Sequence, residues 1–168
     1  MKMIELHENG LDIQFRIREN GVVELADFSS QEVKKAVMEP KDDICYPAVE
    51  IHRSGTGSLN MHAYKNNINQ SSVDFVYENH ELKAQAGGKE LEIVMISPEK
   101  LKAVYHMRLF DGVPAVQTWT EIINEGSEDQ GLTYVSSFMY QGISRGGEKP
   151  YYKKTDIYVP FNSWCCEA

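Results

Sequence analysis

Residues 11–17 read Leu-Asp-Ile-Gln-Phe-Arg-Ile, with apolar side chains at every second position. Successive side chains of a β-strand point to opposite faces, so this alternation predicts a strand with one buried and one polar side. The segment lies between Asn9-Gly10 and Asn20-Gly21, dipeptides that tolerate the positive φ angles of tight hairpin turns. Together these signals predict a three-stranded meander of Met3–His7, Leu11–Arg18 and Val22–Phe28.

Similar segments, separated by turn residues, continue along the chain, and a short helical turn is predicted within Ser29–Val37. About eleven strands at short spacing with little helix predict an all-β fold, an antiparallel β-sandwich. No linker divides the sequence, so residues 1–168 are interpreted as one domain. The further predicted strands are Ala48–His52, Val73–Tyr77, Glu81–Ala86, Glu90–Ser97, Leu101–Phe110, Ala115–Asn124, Leu132–Gln141 and Lys154–Val159.

The net charge of −8 argues against a nucleic-acid or anionic-membrane partner, because such partners are bound through Lys and Arg. No stretch approaches the roughly 20 apolar residues that cross a bilayer. Residues 1–7 contain Glu5 and His7 where a signal peptide would need an apolar core. The three cysteines are interpreted as reduced structural thiols, which predicts a cytoplasmic protein.

Motifs for cofactor or metal chemistry are weak. The glycine-rich Ser54–Ser58 lacks the Lys-Ser/Thr pair that contacts phosphate, and it is interpreted as a hairpin loop. The five histidines show neither i, i+4 spacing nor a nearby cysteine cluster, so the sequence predicts no metal site and no cofactor. Trp119 alternates with threonines, and it is expected in the core rather than on the face of Gln117 and Glu121.

Four segments, taken in order, carry a resemblance to a known family. They are Tyr46–Ile51 (YPAVEI), Gln117–Gly126 (QTWTEIINEG), Leu132–Phe138 (LTYVSSF) and Asn162–Ala168 (NSWCCEA). Together they resemble the amino-terminal domain of glycoside hydrolase family 36 α-galactosidases. The similarity extends over roughly residues 44–168 and is weaker before that.

The resemblance implies a β-supersandwich that precedes a (β/α)₈ barrel. In that family both the nucleophile and the acid/base are aspartates of the barrel, and the reaction retains anomeric configuration. Neither barrel motif occurs in this sequence, so no catalytic residue can be assigned. Because family sandwiches are longer and the last residues, Val159–Ala168, end without a polar tail, the chain is expected to be an N-terminal fragment of a larger enzyme.

Two functions are compatible with these observations. The first is a non-catalytic domain of an α-galactosidase that supports the active-site rim and subunit assembly, with an α-galactoside substrate and the missing catalytic barrel domain as partners. The second is a free-standing sugar-binding or mutarotase-like β-sandwich, which needs an aromatic platform or an acid/base pair such as His52 or His62 with a carboxylate.

Any sugar contact is expected around Tyr46, His52 and Arg53, which flank the strand that most resembles the family. A homo-oligomer is also expected. Truncation of a supersandwich exposes strand edges, and Tyr158, Phe161 and Trp164 lie close to the last residue.

Overall fold

The computed structural model describes residues 1–30, 46–57 and 70–140. Within these ranges the chain forms three antiparallel sheets and one helix of four residues, which confirms the predicted all-β sandwich. Its elements in chain order are β1 (Lys2–Glu8), β2 (Leu11–Ile17), β3 (Val23–Ser30), β4 (Ile51–Arg53), α1 (Gln70–Val73), β5 (Val76–Gln85), β6 (Gly88–Ile96), β7 (Leu101–Phe110), β8 (Val113–Asn124) and β9 (Leu132–Val135).

The first sheet is the predicted meander, with strand order β1-β2-β3. Asn9 and Gly10 in its first turn have φ values of 52° and 83°, the positive angles expected of this dipeptide. The Asn9 amide nitrogen donates to the Phe110 carbonyl at 2.9 Å, and its side-chain oxygen accepts a hydrogen bond from the Gly112 N–H at 3.0 Å. Asn9 therefore ties the first hairpin to the turn between β7 and β8.

Arg16 of β2 departs from simple alternation. The register with β3 shifts between Gln14 and Phe15, and Arg16, expected on the polar side, is only 4% exposed. Its guanidinium lies 3.5 Å from the buried Glu24 carboxylate, which also binds Arg18 at 3.2 Å. A buried charge needs a partner of this kind, so the ion pair explains why Arg16 lies inside.

The second sheet is a four-stranded meander in the order β5-β6-β7-β8. The predicted strand Glu81–Ala86 lies almost entirely in β5. Of the predicted strand Val73–Tyr77 only the last two residues belong to β5, and Val73 ends α1. Glu78 forms a bulge in β5 instead of a turn. At the start of β6, a Cβ on Gly88 would lie 1.9 Å from the Leu109 carbonyl oxygen. Only glycine lets β6 approach β7 so closely.

The core lies between the inner faces of these two sheets. β6 contributes Leu91 and Ile93, and β7 contributes Tyr105, all at most 1% exposed. From the opposite sheet Phe15 packs edge-on against Tyr105, with ring centroids 5.7 Å apart. Burying side chains of this size stabilises the fold by about 1.5–3 kcal/mol each.

The third sheet is a two-stranded ribbon of β4 and β9. Its register continues beyond β4, because the Glu50 N–H donates to Ser136 Oγ and the Ser136 N–H donates to the Glu50 carbonyl. On the other side α1 holds β4 in place, since Ser72 Oγ accepts from the Ile51 N–H at 2.8 Å and Ser71 Oγ donates to the Ile51 carbonyl. The sequence does not predict α1, which is too short to show a helical period.

Some sequence predictions fall outside the described residues. They concern the helical turn beyond Ser30, the strand Lys154–Val159, the aromatic residues Tyr158, Phe161 and Trp164, His62, and the three cysteines Cys45, Cys165 and Cys166. No helix in the described ranges is long and apolar enough to cross a membrane.

Candidate functional site

A compact group of polar and aromatic side chains lies on the ribbon of β4 and β9. Ile51 and Arg53 are buried, so His52 between them points to the outer side. Its Nε2 lies 3.1 Å from Glu50 Oε1. Its ring contacts that of its cross-strand partner Tyr134, with centroids 5.0 Å apart, and Tyr134 is 50% exposed. The exposed ring of Tyr134 thus lies beside the His52 imidazole, which is paired with the buried carboxylate of Glu50.

Arg53, the second residue predicted to contact sugar, lies on the inner side of the same strand. Its guanidinium binds Glu99 at 2.7 Å and Asp74 at 3.3 Å. Burial opposes ionisation of Glu99, but hydrogen bonds from its own backbone, Arg53 and Ser97 hold the pKa of Glu99 below its usual value. The observed contacts give Arg53 the role of anchoring β4 to the second sheet, and its predicted sugar contact stays a prediction.

Tyr46, the third predicted residue, is held by the first sheet rather than by the ribbon. Its backbone N–H donates to Glu24 Oε1 at 2.9 Å, the same carboxylate that binds Arg16 and Arg18. Two residues later the Ala48 N–H donates to the Val23 carbonyl. The segment that leads into β4 therefore runs along β3, and sugar contact by the Tyr46 side chain also stays a prediction.

A second polar cluster, here called the sheet cluster, consists of Glu90 and Glu92 of β6 and His106 of β7. Their potential ligand atoms all lie within 4.8 Å of one another. His106 Nδ1 is 2.9 Å from Glu90 Oε1 and 3.9 Å from Glu92 Oε1. The sequence predicts no metal site. No sequence motif indicates this grouping, because the carboxylates and the imidazole meet only through the pairing of Glu92 with His106 across two strands.

Trp119 stacks on the sheet cluster. Its ring lies parallel to that of its cross-strand partner His106, with centroids 4.6 Å apart and an interplanar angle of 4°. The residue was expected in the core, but the odd-numbered positions of β8 lie on the outer face, where Gln117 and Glu121 also lie. The core face of β8 instead carries threonines and the partly buried Ile122.

An open cleft of about 590 Å³ lies beside the turn between β6 and β7. Glu99 lines it together with Lys100 and the loop 125–128. Since Glu99 also binds Arg53, the cleft is connected to the ribbon by one ion pair. Its lining is mainly polar and acidic, without the apolar walls typical of a small-molecule pocket.

Among the comparisons with known proteins, the search of solved structures found similar chains. No protein-family model matches the chain, and no curated protein matches it. One of the similar solved structures is a GH36 α-galactosidase from Geobacillus stearothermophilus in complex with raffinose, with 12% sequence identity and a TM-score of 0.49. The match covers 74% of the present chain and 22% of that enzyme.

Proposed function

We propose that this chain is a non-catalytic β-sandwich domain of an α-galactosidase similar to those of glycoside hydrolase family 36. In this proposal its ribbon supplies sugar contacts at the rim of a neighbouring active site. The observation that carries the proposal is the pairing of two segments that resemble that family: Tyr46–Ile51 leads into β4, and Leu132–Phe138 contains β9. They hydrogen-bond to each other although Glu50 and Ser136 are 86 positions apart.

The chemistry of the ribbon supports a sugar ligand. The half-exposed ring of Tyr134 offers an apolar surface to the C–H face of a pyranose, and its hydroxyl can exchange hydrogen bonds with sugar hydroxyls. The partly exposed imidazole of His52 adds a hydrogen-bonding group beside that ring, and the buried Glu50 carboxylate orients it. Such a small set of converging polar groups on an aromatic surface is typical of sites that orient a ligand.

We expect weak binding of methyl α-galactoside to the purified chain, lost in part when the ribbon is changed. Tyr134→Ala removes the aromatic surface, and His52→Gln removes the imidazole while retaining a hydrogen-bonding group. Each change is expected to weaken binding roughly tenfold, about 1.4 kcal/mol. Ligand-observed NMR titration measures the affinity.

His80→Gln is the matched control, because His80 is also partly exposed but lies on β5, where it contacts Tyr77. It is expected to bind the sugar as the unchanged chain does. Equal affinities for the ribbon variants and the control would remove the ribbon from the proposal. Equal binding of methyl α-glucoside would show that recognition is not specific for galactosides.

The purified chain is expected not to hydrolyse 4-nitrophenyl α-galactoside. Retaining hydrolysis needs two carboxyl groups about 5–5.5 Å apart on either side of the bond, and the resemblance assigns the family's two catalytic aspartates to the barrel. Release of nitrophenol at the rate of the buffer blank is the expected result. Turnover that persists through successive purification steps would contradict it.

The alternative, a free-standing mutarotase-like sandwich, is favoured by one observation, the pair of His52 Nε2 with Glu50 Oε1. An imidazole and a carboxylate at this distance form the acid/base pair that the alternative requires. The mutarotase-like function would be favoured over the non-catalytic domain if the chain accelerates the interconversion of galactose anomers and His52→Gln abolishes this acceleration. The cytoplasmic location and the homo-oligomer stay predictions.

A further inference from the structure

The sheet cluster has the geometry of a cation site. Glu90 Oε1, Glu92 Oε1 and His106 Nδ1 converge on one point, with separations of 2.9 and 3.9 Å from the nitrogen to the two oxygens and none above 4.8 Å. Two atoms that each lie about 2.0–2.2 Å from one zinc ion in tetrahedral geometry stand about 3.3–3.6 Å apart. The separations of 2.9 and 3.9 Å lie on either side of this range. The two carboxylate oxygens would need to approach each other by roughly 1 Å, and Glu92, the most exposed of the three side chains, has the most room to move.

Each carboxylate has its other oxygen held from β5. Lys83 Nζ donates to Glu92 Oε2, and Gln85 Nε2 donates to Glu90 Oε2 at 2.7 Å. Both Oε1 atoms are thereby turned towards His106. Outer partners of this kind orient ligands in protein metal sites and increase their affinity.

The orientation of the His106 imidazole is also set by its neighbours. Trp119 stacks on its ring, and the His106 side chain is 8% exposed. Its buried Nε2 has no hydrogen-bond partner among the residues that the structure describes, and it lies 3.7 Å from Glu121 Oε1. If Nδ1 is a ligand, the proton must reside on Nε2, where it faces the Glu121 carboxylate. The tautomer that binds an ion thus also explains the orientation of Nε2.

We propose that Glu90, Glu92 and His106 bind a divalent transition-metal ion. One imidazole nitrogen and two carboxylate oxygens suit Mn²⁺ and Zn²⁺. Glu90, Glu92 and the neighbouring Glu121 carry three negative charges, of which Lys83 balances one, so a dication would balance the remaining two. Three protein ligands leave coordination positions open for water or a ligand group. The site lies on the second sheet, apart from the ribbon, and does not depend on the proposed sugar contacts.

The test uses the full chain after removal of metal with a chelator and alkylation of its thiols. Alkylation prevents the three cysteines from supplying thiolate ligands to the metal. Mn²⁺ is the probe, since the electron paramagnetic resonance signal of the free ion reports the unbound concentration. Bound Mn²⁺ also broadens nearby NMR signals. The chain has two tryptophans, so the indole signal of Trp119 can be assigned with Trp119→Phe.

Glu92→Gln replaces a carboxylate with an amide of nearly the same shape, so this ligand loses its negative charge. Glu81→Gln is the matched control, because Glu81 is the cross-strand partner of Glu92 and lies 3.8 Å from Lys83, yet is outside the ligand set. Glu92→Gln is expected to weaken Mn²⁺ binding on the order of tenfold or more, and Glu81→Gln to leave it unchanged. The dichroism spectrum and unfolding midpoint of both variants establish that they are folded.

The proposal is supported if each chain binds one Mn²⁺ ion and the bound ion selectively broadens the Trp119 indole signal. Of the two variants, only Glu92→Gln should lose this binding. If Glu92→Gln fails to fold, the broadening in the unchanged chain decides. The absence of binding up to roughly 1 mM Mn²⁺, equal affinities of the two variants, or an unaffected Trp119 signal would each overturn the proposal.

Discussion

Replacing Phe15 with alanine is expected to lower the free energy of unfolding by about 3–5 kcal/mol. The side chain is completely buried, and its ring meets that of Tyr105 edge-on across the two large sheets. The change removes this contact and leaves a cavity that strands of both sheets can fill only in part. Since single domains are stable by about 5–15 kcal/mol, much of the stability would be lost. Urea unfolding followed by dichroism measures it.

Phe138→Ala provides the matched control. Phe138 also makes an edge-on contact, with Phe28 at 5.5 Å, but it is 41% exposed. Removing this ring is expected to lower the free energy of unfolding by about 1 kcal/mol or less, because the ring is already partly exposed to water. Equal costs for the two variants would mean that Phe15 and Tyr105 do not form the centre of the core.

Replacing Arg53 with methionine is expected to lower the free energy of unfolding by about 2 kcal/mol. The methionine fills most of the space of the aliphatic stem, but Asp74 and Glu99 lose their shared cation. Removing one partner of a fully buried ion pair costs about 3–5 kcal/mol. The expected effect is smaller because the Asp74 and Glu99 side chains are 26% and 43% exposed.

The same variant should change the dependence of stability on pH. In the unchanged chain the pKa of Glu99 lies below its value of 4.5 in the unfolded state. Ionised Glu99 therefore contributes stability above pH 4.5, and this contribution is lost as the pH falls through the lower pKa of the folded state. Without Arg53 the pKa of Glu99 should rise, so the loss of stability between neutral and acidic pH becomes smaller.

Lys102→Met is the control for the removal of a cation, since Lys102 binds Glu125 at the surface. Such exposed pairs contribute about 0–1 kcal/mol. An Arg53 variant that is no less stable than the Lys102 variant would show that the ion pairs of Arg53 do not anchor β4.

Much of the fold could be predicted because its signals are local. The alternation at residues 11–17 and the turn residues Asn9-Gly10 and Asp111-Gly112 act within a few positions, and strand Leu101–Phe110 was predicted with the bounds that the structure has. The predictions were wrong where tertiary contacts determine the local structure. Glu78-Asn79 looks like a turn by composition, but pairing of β5 with β6 makes it a bulge.

The candidate sites were less predictable. His52 could be singled out because it flanks a strand that resembles a known family, but its contacts with Glu50 and Tyr134 depend on which strand pairs with β4. The sheet cluster depends entirely on register. A shift of one residue between β6 and β7 would bring a core residue opposite Glu92 and move His106 away from it.

The pairing of β4 with β9 also bears on the order in which the chain folds. The hairpins of the second sheet join near neighbours in sequence, whereas the ribbon closes a loop in which Thr133 bonds to His52 across 81 positions. Closure entropy grows with loop length, and contacts between distant residues form late. The ribbon should therefore assemble last and open first in partial unfolding. A ligand bound across β4 and β9 would stabilise their pairing and slow this opening.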